Sequence, residues 1–329
     1  MQKENRKIIS KKLQPLDLLF LLRPPMLIPV WTFFLAGYWR ANSRFGAHLV
    51  IFAKENLFPN SNFWISFVSY SLLLGSIYIV NQIVDRETDR LNNKLFLIPL
   101  KIVSVRLAVI LSILFFAISF FIIIRFNVLY LIFYFLSLFI GLCYSLPPMR
   151  FKGRAIIDII SNAIGYGVLA FGIGWFTSKD FSLKLILFSL PYFFATASVF
   201  AISTILDEKG DRKDGAHTTA VKFGSATTRR IGFFSLILSL ISAIFLKDVL
   251  MIITATLSLP LAYFAMIKED RKFLTLFMRG GSYILIILIG LLFPWYLILL
   301  VFIYIISKFY YRYRFGINYP ELLEKDKDS

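Results

Sequence analysis

Apolar stretches of roughly twenty residues follow one another along almost the whole of this 329-residue chain. A helix of that length matches the ~30 Å hydrocarbon layer of a bilayer. Ten such segments are read over 16–39, 60–83, 103–124, 127–146, 155–176, 183–206, 229–246, 249–267, 274–292 and 294–311. In hydrocarbon each backbone polar group needs a partner within the protein, which a helix supplies locally. The fold class is therefore all-α, a polytopic membrane helical bundle of nine to ten transmembrane helices. The ambiguity sits at Pro294, which either separates two spans or kinks one. The first segment contains Arg23 and three prolines and is too long for the apolar core of a cleaved signal peptide. Composition agrees: only 17% of residues are charged and mean hydropathy is +0.74, against about a quarter charged in soluble domains. Soluble, disordered and disulfide-scaffold classes are excluded. The single cysteine, Cys143, permits no intrachain disulfide, and no His/Cys cluster signals zinc.

The net charge of +17 is then the feature to explain. With ten spans, 28 of the 36 Lys and Arg residues fall on one face and seven on the other, Arg23 lying inside the first segment. The positive-inside rule makes the rich face cytoplasmic. That face holds a basic N-tail (1–15), a C-tail (312–329) and the loops after the second, fourth and sixth segments. The whole chain, 1–329, reads as one integral-membrane domain with membrane lipid around it. No soluble basic domain is present to bind nucleic acid, so no nucleic-acid partner is expected.

Two polar connections, 84–102 and 207–228, follow the second and sixth segments. At the end of the second segment and running into the first connection come Asn81, Asp85 and Asp89, spaced four apart and so on one helix face. The second repeats the spacing with Asp207 and Asp211, each 122 residues after its counterpart, which suggests an internal duplication. Grouped carboxylates in apolar surroundings repel one another unless cations join them. An all-oxygen donor set favours Mg²⁺, whose shell is usually completed by water and substrate phosphate. Basic residues interleave on the same face, including Arg23, Arg86, Arg90, Arg150, Lys152, Lys209, Arg212 and Lys213. The pattern therefore points to a metal-bridged diphosphate rather than a bare ion site. The plain alternative is that the charges are topology determinants or solvated loop ends.

These residues resemble the UbiA-type superfamily of intramembrane prenyltransferases. The likeness rests on Arg23-Pro24, Asn81-x3-Asp85-x3-Asp89, Tyr144-Ser-Leu-Pro-Pro-Met-Arg150-Phe-Lys152, and Asp207-x2-Gly210-Asp211-Arg212-x2-Gly215 with Thr218, Ala220, Val221 and Gly224 beyond. In detail it is similar to the branch holding chlorophyll synthases and geranylgeranylglyceryl phosphate transferases. The resemblance implies a helical bundle around a central cavity open to lipid. It implies Mg²⁺-dependent transfer of an isoprenyl chain from a prenyl diphosphate to a hydrophobic acceptor, an aromatic or quinone precursor or a lipid alcohol, through ionisation of the allylic diphosphate. Asp85, Asp89, Asp207 and Asp211 would be catalytic and, with Asn81, would hold the metal. Arg23, Asn81, Tyr144, Arg150 and Lys152 would contact diphosphate, with Arg90 and Arg212 as weaker candidates and Asp214 outside the ligand set. Relatives commonly carry two arginines and a glycine after the first motif, where this chain reads Asn92-Asn93-Lys94-Leu-Phe-Leu97-Ile98-Pro99-Leu100-Lys101. Gln82 also stands where many members have an acid.

Other polar residues keep two readings. Asp158, inside the fifth segment with Asn162 four residues on, is either a cavity-facing pair or a helix–helix hydrogen bond. His217 is a base for an alcohol acceptor or a polar loop residue, and His48 reads as interfacial. Aromatic rings offer π faces to a carbocation, though at such abundance most pack or face lipid. Gly165, Gly167, Gly172 and Gly174 read as sites of close helix approach, and the Tyr310–Arg314 stretch as an interfacial anchor. A different class, a transporter or lipid-binding protein whose carboxylates couple ions, would suit the same charges. The even spacing of the motifs gives parallel rather than inverted repeats, which removes one argument for transport.

Overall fold

The computed structural model describes residues 12–43, 59–91, 97–317 and 319. Its helices are α1 (Pro15–Leu21), α2 (Pro24–Asn42), α3 (Ser61–Val84), α4 (Arg86–Leu91), α5 (Val105–Ile123), α6 (Val128–Ser145), α7 (Ile157–Phe176), α8 (Leu183–Lys213), α9 (Thr219–Phe245), α10 (Val249–Ile267), α11 (Arg271–Leu292) and α12 (Pro294–Phe315). Among the described residues nine helices, α3 and α5 to α12, are long and apolar enough to cross a membrane. The first predicted segment is instead a broken pair, α1 and α2, bent by 46°. Pro294 starts α12 rather than kinking a longer helix. His48, Asn92–Lys94 and most of both tails lie outside the described residues.

Short polar residues mark where several helices begin, by accepting an otherwise unpaired N–H of the first turn. Asn60 does so for Phe63, Asn127 for Tyr130 and Asp248 for Met251. The lipid-facing surface is studded with large apolar side chains; Phe121, Phe245 and Ile298 are each more than 70% exposed. A water-soluble protein rarely tolerates so continuous a patch, and hydrocarbon surroundings explain it.

Inside the bundle, α2 lies against the end of α7 with backbones almost touching. A Cβ on Gly174 would fall 1.9 Å from the Phe34 carbonyl oxygen, and one on Gly37 would fall 1.9 Å from that of Phe171. Gly167 similarly admits the backbone of α8, whereas Gly165 has open space beside it. The expectation for Gly165 is thus corrected: it borders a cavity. Residues 163–170 of α7 wind as a π-helix beside that cavity, a distortion often met near functional sites.

Two further corrections concern polar segments. The connection predicted over 207–228 is mostly helical, because α8 runs on to Lys213 and α9 starts at Thr219, leaving residues 214–218 between them and a kink at Gly224 (φ 80°, ψ 159°) within α9. Hydropathy marks where a chain leaves hydrocarbon, and a helix persists beyond that point. At ~1.5 Å per residue the 31 residues of α8 exceed the ~30 Å layer. The predicted interfacial anchor is also partly interior. Arg314 and Asp17 are both fully buried and joined by two hydrogen bonds of 2.9 and 3.1 Å, and the Tyr310 hydroxyl donates to Asp17 at 2.7 Å. This cluster fastens the short α1 to the last helix.

Breaking such a buried pair leaves an uncompensated charge and costs about 3–5 kcal/mol. Arg314→Met is expected to lower the thermal unfolding temperature in detergent sharply, and Asp17→Leu combined with Arg314→Met to recover part of the loss.

Candidate active site

A cavity of about 350 Å³ opens where α3, α6 and α8 end and α7 begins. Asp85 and Asp89 line it from one side, Asp207, Asp211 and Asp214 from the other, with Tyr144, Arg150, Lys152, Asp158 and Asn162 between. Helix α3 stops at Asp85, yet the register continues. The Asp85 N–H donates to the Asn81 carbonyl at 2.9 Å and the Asp89 N–H to the Asp85 carbonyl at 2.8 Å. Asn81, Asp85 and Asp89 therefore share a face despite the break. Asp207 and Asp211 sit one turn apart on α8, which is continuous.

The segment 146–156 carries Arg150 and Lys152 into the cavity. Arg150 occupies the left-handed region (φ 38°, ψ 58°) and leads into a 3₁₀ turn over Phe151–Gly153. A branched or bulky residue held there without glycine marks local strain, which tends to persist at functional sites. The turn is held to the second motif: the His217 N–H donates to the Gly153 carbonyl at 3.0 Å. From the turn, Lys152 Nζ reaches both carboxylate oxygens of Asp85, 2.6 Å from Oδ2.

Asp158 does both things the sequence allowed. It lines the cavity, and its carboxylate accepts the Thr219 N–H at 2.7 Å and the Thr219 hydroxyl at 2.5 Å, fixing the start of α9. Asn162 donates to the Asp158 carbonyl at 2.7 Å and its side chain also meets the Tyr144 hydroxyl.

Arg23 occupies the break between α1 and α2, again left-handed (φ 55°, ψ 59°). It lines a second cavity of about 270 Å³, with Tyr78, Asn81, Tyr166 and Gly165, which shares Asp85, Tyr144, Lys152, Asn162 and Phe200 with the first. Gln82, the departure from an acid, explains part of this arrangement. It is buried, and its amide donates to the Leu21 carbonyl at 2.8 Å, at the end of α1. A carboxylate has no proton to give there when ionised. A third cavity of about 250 Å³, almost wholly apolar, lies between α2, α8, α10 and α11 and meets the second at Met26, Tyr166 and Phe200. Tyr166 and Phe200 stack with centroids 5.8 Å apart.

The donor atoms suit a hard cation. They are all oxygens, and Asn81 Oδ1 is buried with no hydrogen bond to it. Among the described residues no three carboxylates gather closely enough to enclose one ion themselves. Two carboxylates of one motif, with water and substrate oxygens, match magnesium's habit of keeping several waters and using phosphate.

Not every predicted residue arrives. Arg90 lies 3.7 Å from Glu87 and Arg212 lies 2.7 Å from Glu208, both largely exposed. Asp214, set outside the ligand group, does line the cavity. Gln82 and Phe200 were missed as functional candidates; an amide beside Asn81 was the one available signal, and nothing distinguishes Phe200 among 36 phenylalanines.

The chain belongs to the UbiA prenyltransferase family, whose model matches residues 45–273. A probable homogentisate phytyltransferase 2 of Oryza sativa subsp. japonica is 31% identical over 237 residues, 64% of this chain and 62% of that protein. A chloroplastic 2-acylphloroglucinol 4-prenyltransferase of Humulus lupulus is 28% identical over 215 residues, 61% of this chain and 51% of that protein. The chain thus matches under two thirds of the length of these relatives. A UbiA homolog from Archaeoglobus fulgidus, solved with DMAPP and Mg²⁺, shares the fold: TM-score 0.62 and 22% identity, covering 84% of this chain and 98% of that one.

Asp158→Ala strips the Thr219 N–H of its acceptor, and an unmade buried hydrogen bond costs about 1–3 kcal/mol. The variant is expected to unfold at lower temperature in detergent, with Asp158→Asn, which keeps one acceptor oxygen, falling between it and the native chain.

Proposed function

We propose that this chain transfers an isoprenyl group from a prenyl diphosphate to a hydrophobic acceptor, an aromatic or quinone precursor or a lipid alcohol. The observation that carries the reading is the cavity in which two Asp-x3-Asp motifs face each other, with Lys152 and Arg150 beside them, and which continues into apolar space between spanning helices. The names of the rice and hop relatives and the DMAPP and Mg²⁺ bound to the archaeal homolog support it.

Asn81, Asp85, Asp89, Asp207 and Asp211 would hold magnesium, which when bound supplies positive charge to the leaving diphosphate. Lys152, Arg150 and Arg23 offer further cations to the diphosphate oxygens, and the Tyr144 hydroxyl a donor. The allylic C–O bond breaks with its electron pair leaving on the diphosphate. The electron-deficient carbon is captured by an electron pair of the acceptor, which then gives up a proton. Fixed charges placed where charge develops are the largest contribution such a site makes. The rings of Tyr166 and Phe200 border the space where the cation forms, and their π faces suit it. The nearly apolar cavity between α2, α8, α10 and α11 takes the isoprenyl tail; the hydroxyl-lined cavity around Tyr78 and Asn162 takes the acceptor. The site faces the cytoplasm, from the distribution of Lys and Arg, and the chain acts as a single integral-membrane domain.

The test is incubation of purified protein with a panel of prenyl diphosphates, Mg²⁺ and membrane lipid extract, followed by mass identification of the product. Asp85→Ala and Asp207→Ala are each expected to reduce turnover at least about a hundredfold, the scale of losing one preorganised electrostatic group, while eluting as monodisperse protein. No diphosphate release from any donor would overturn the reading. Phe200→Ala opens the join between cavities, and its ratio of kcat/KM for long over short donors is expected to rise roughly tenfold, the scale of small changes in an apolar pocket. Competition between donors of different length measures that ratio.

A further inference from the structure

The first aspartate motif already carries a cation of the protein's own. Lys152 Nζ contacts both oxygens of Asp85, and the two side chains are only 22% and 29% exposed. The second motif is treated differently. Among the described residues no Lys or Arg lies within ion-pair distance of Asp207 or Asp211, and Arg212 is turned outward onto Glu208. An ammonium that contacts both oxygens of a carboxylate takes two of its roughly four acceptor sites, the pair a chelating metal would use. An ammonium in that position also repels any dication placed on the same oxygens.

The neighbourhood of Asp85 is nevertheless prepared for a ligand. Asn81 Oδ1, one turn earlier on the same face, is buried and accepts no hydrogen bond. Lys152 stands on a backbone that is tied down, by the Arg150 N–H to the Leu146 carbonyl at 2.9 Å and the His217 N–H to the Gly153 carbonyl at 3.0 Å. Its flexible stem is what remains free to move. Lys152 borders both polar cavities, so open space lies beside its ammonium.

We infer that Lys152 occupies the metal position at Asp85 until a donor diphosphate draws it away, so that the two motifs load in order. Asp207 and Asp211 take an ion first. The first motif takes one only when diphosphate is present to receive the ammonium. In the empty site the ion pair cancels one negative charge of a crowded carboxylate group and keeps stray divalent ions off Asp85. Lys152 acts here as a positioning residue as well as a diphosphate contact. The inference rests on the prenyl-transfer reading.

The experiment counts bound Mn²⁺, in place of Mg²⁺, on the purified full chain in detergent by the electron paramagnetic resonance signal of free Mn²⁺. Inorganic pyrophosphate is the probe for the donor head, with its own Mn²⁺ binding subtracted. The native chain is expected to bind one ion alone and a second with pyrophosphate. Lys152→Gln is expected to bind both without pyrophosphate, the affinity for the second rising about tenfold or more, as supporting groups around a metal site commonly contribute. Lys152→Arg, which keeps the charge, should behave as the native chain, and Asp85→Asn should keep the first ion and lose the second. Native protein that binds two ions alone, or a Lys152→Gln variant that counts like the native chain, would overturn the ordering and leave prenyl transfer intact. Absence of any Mn²⁺ binding would overturn the metal-dependent reading itself, and the ordering with it.

Discussion

Hydrocarbon offers no water to a backbone N–H or carbonyl, so a helix can be interrupted inside a membrane only where the protein itself repairs the gap. Among the described residues, three interruptions border the cavities. The first is the left-handed Arg23 between α1 and α2, the second the end of α3 at Asp85, and the third the π-wound stretch of α7. Each is compensated. Gln82 supplies a donor to the Leu21 carbonyl, the Asn81–Asp85–Asp89 backbone bonds continue across the second break, and Asp158 and Asn162 brace the beginning of α7. The placement of charged groups follows from this. An interrupted helix is where a side chain such as Arg23 gains a direction that a regular helix would deny it.

The rigid frame behind these breaks is built from close backbone contact and buried polar pairs. Glycines let α2 and α7 meet without side chains between them, and Ser69, Ser119 and Tyr134 link α3, α5 and α6 by hydrogen bonds of 2.7 to 3.0 Å. Such pairs are modest individually, since lipid gives helices little apolar reason to associate. The Asp17–Arg314 pair adds a tie between α1 and α12.

Much of this was legible from residues alone, for identifiable reasons. Span positions came from hydropathy, because solvent is what hydropathy measures; α10 spans 249–267 as expected. The four-residue spacing of Asp85 and Asp89, and of Asp207 and Asp211, is a property of helix geometry and survived even the break at Asp85. The helical character of 207–228 was not legible, since polar composition says where water begins and not whether winding stops. Arg314 and Gln82 were opaque for another reason. Their partners, Asp17 and the Leu21 carbonyl, are distant in sequence, 297 and 61 residues away, and no local pattern announces them. Gly165 shows the limit of composition rules, because a glycine beside a cavity and a glycine beside a helix are spelled alike.

The apolar cavity between α2, α8, α10 and α11 has a consequence for selectivity. A tail moving into it from water would gain about 0.8 kcal/mol for each buried CH₂. A tail arriving from the bilayer exchanges one hydrocarbon environment for another, and that gain nearly vanishes. On the proposed reading, retention of a substrate would then fall to its charged end, gripped by Lys152, the arginines and the ions the carboxylates would hold. Tail length would then be judged by shape alone, so donors would be sorted as by a mould, by what fits, while the grip would be electrostatic.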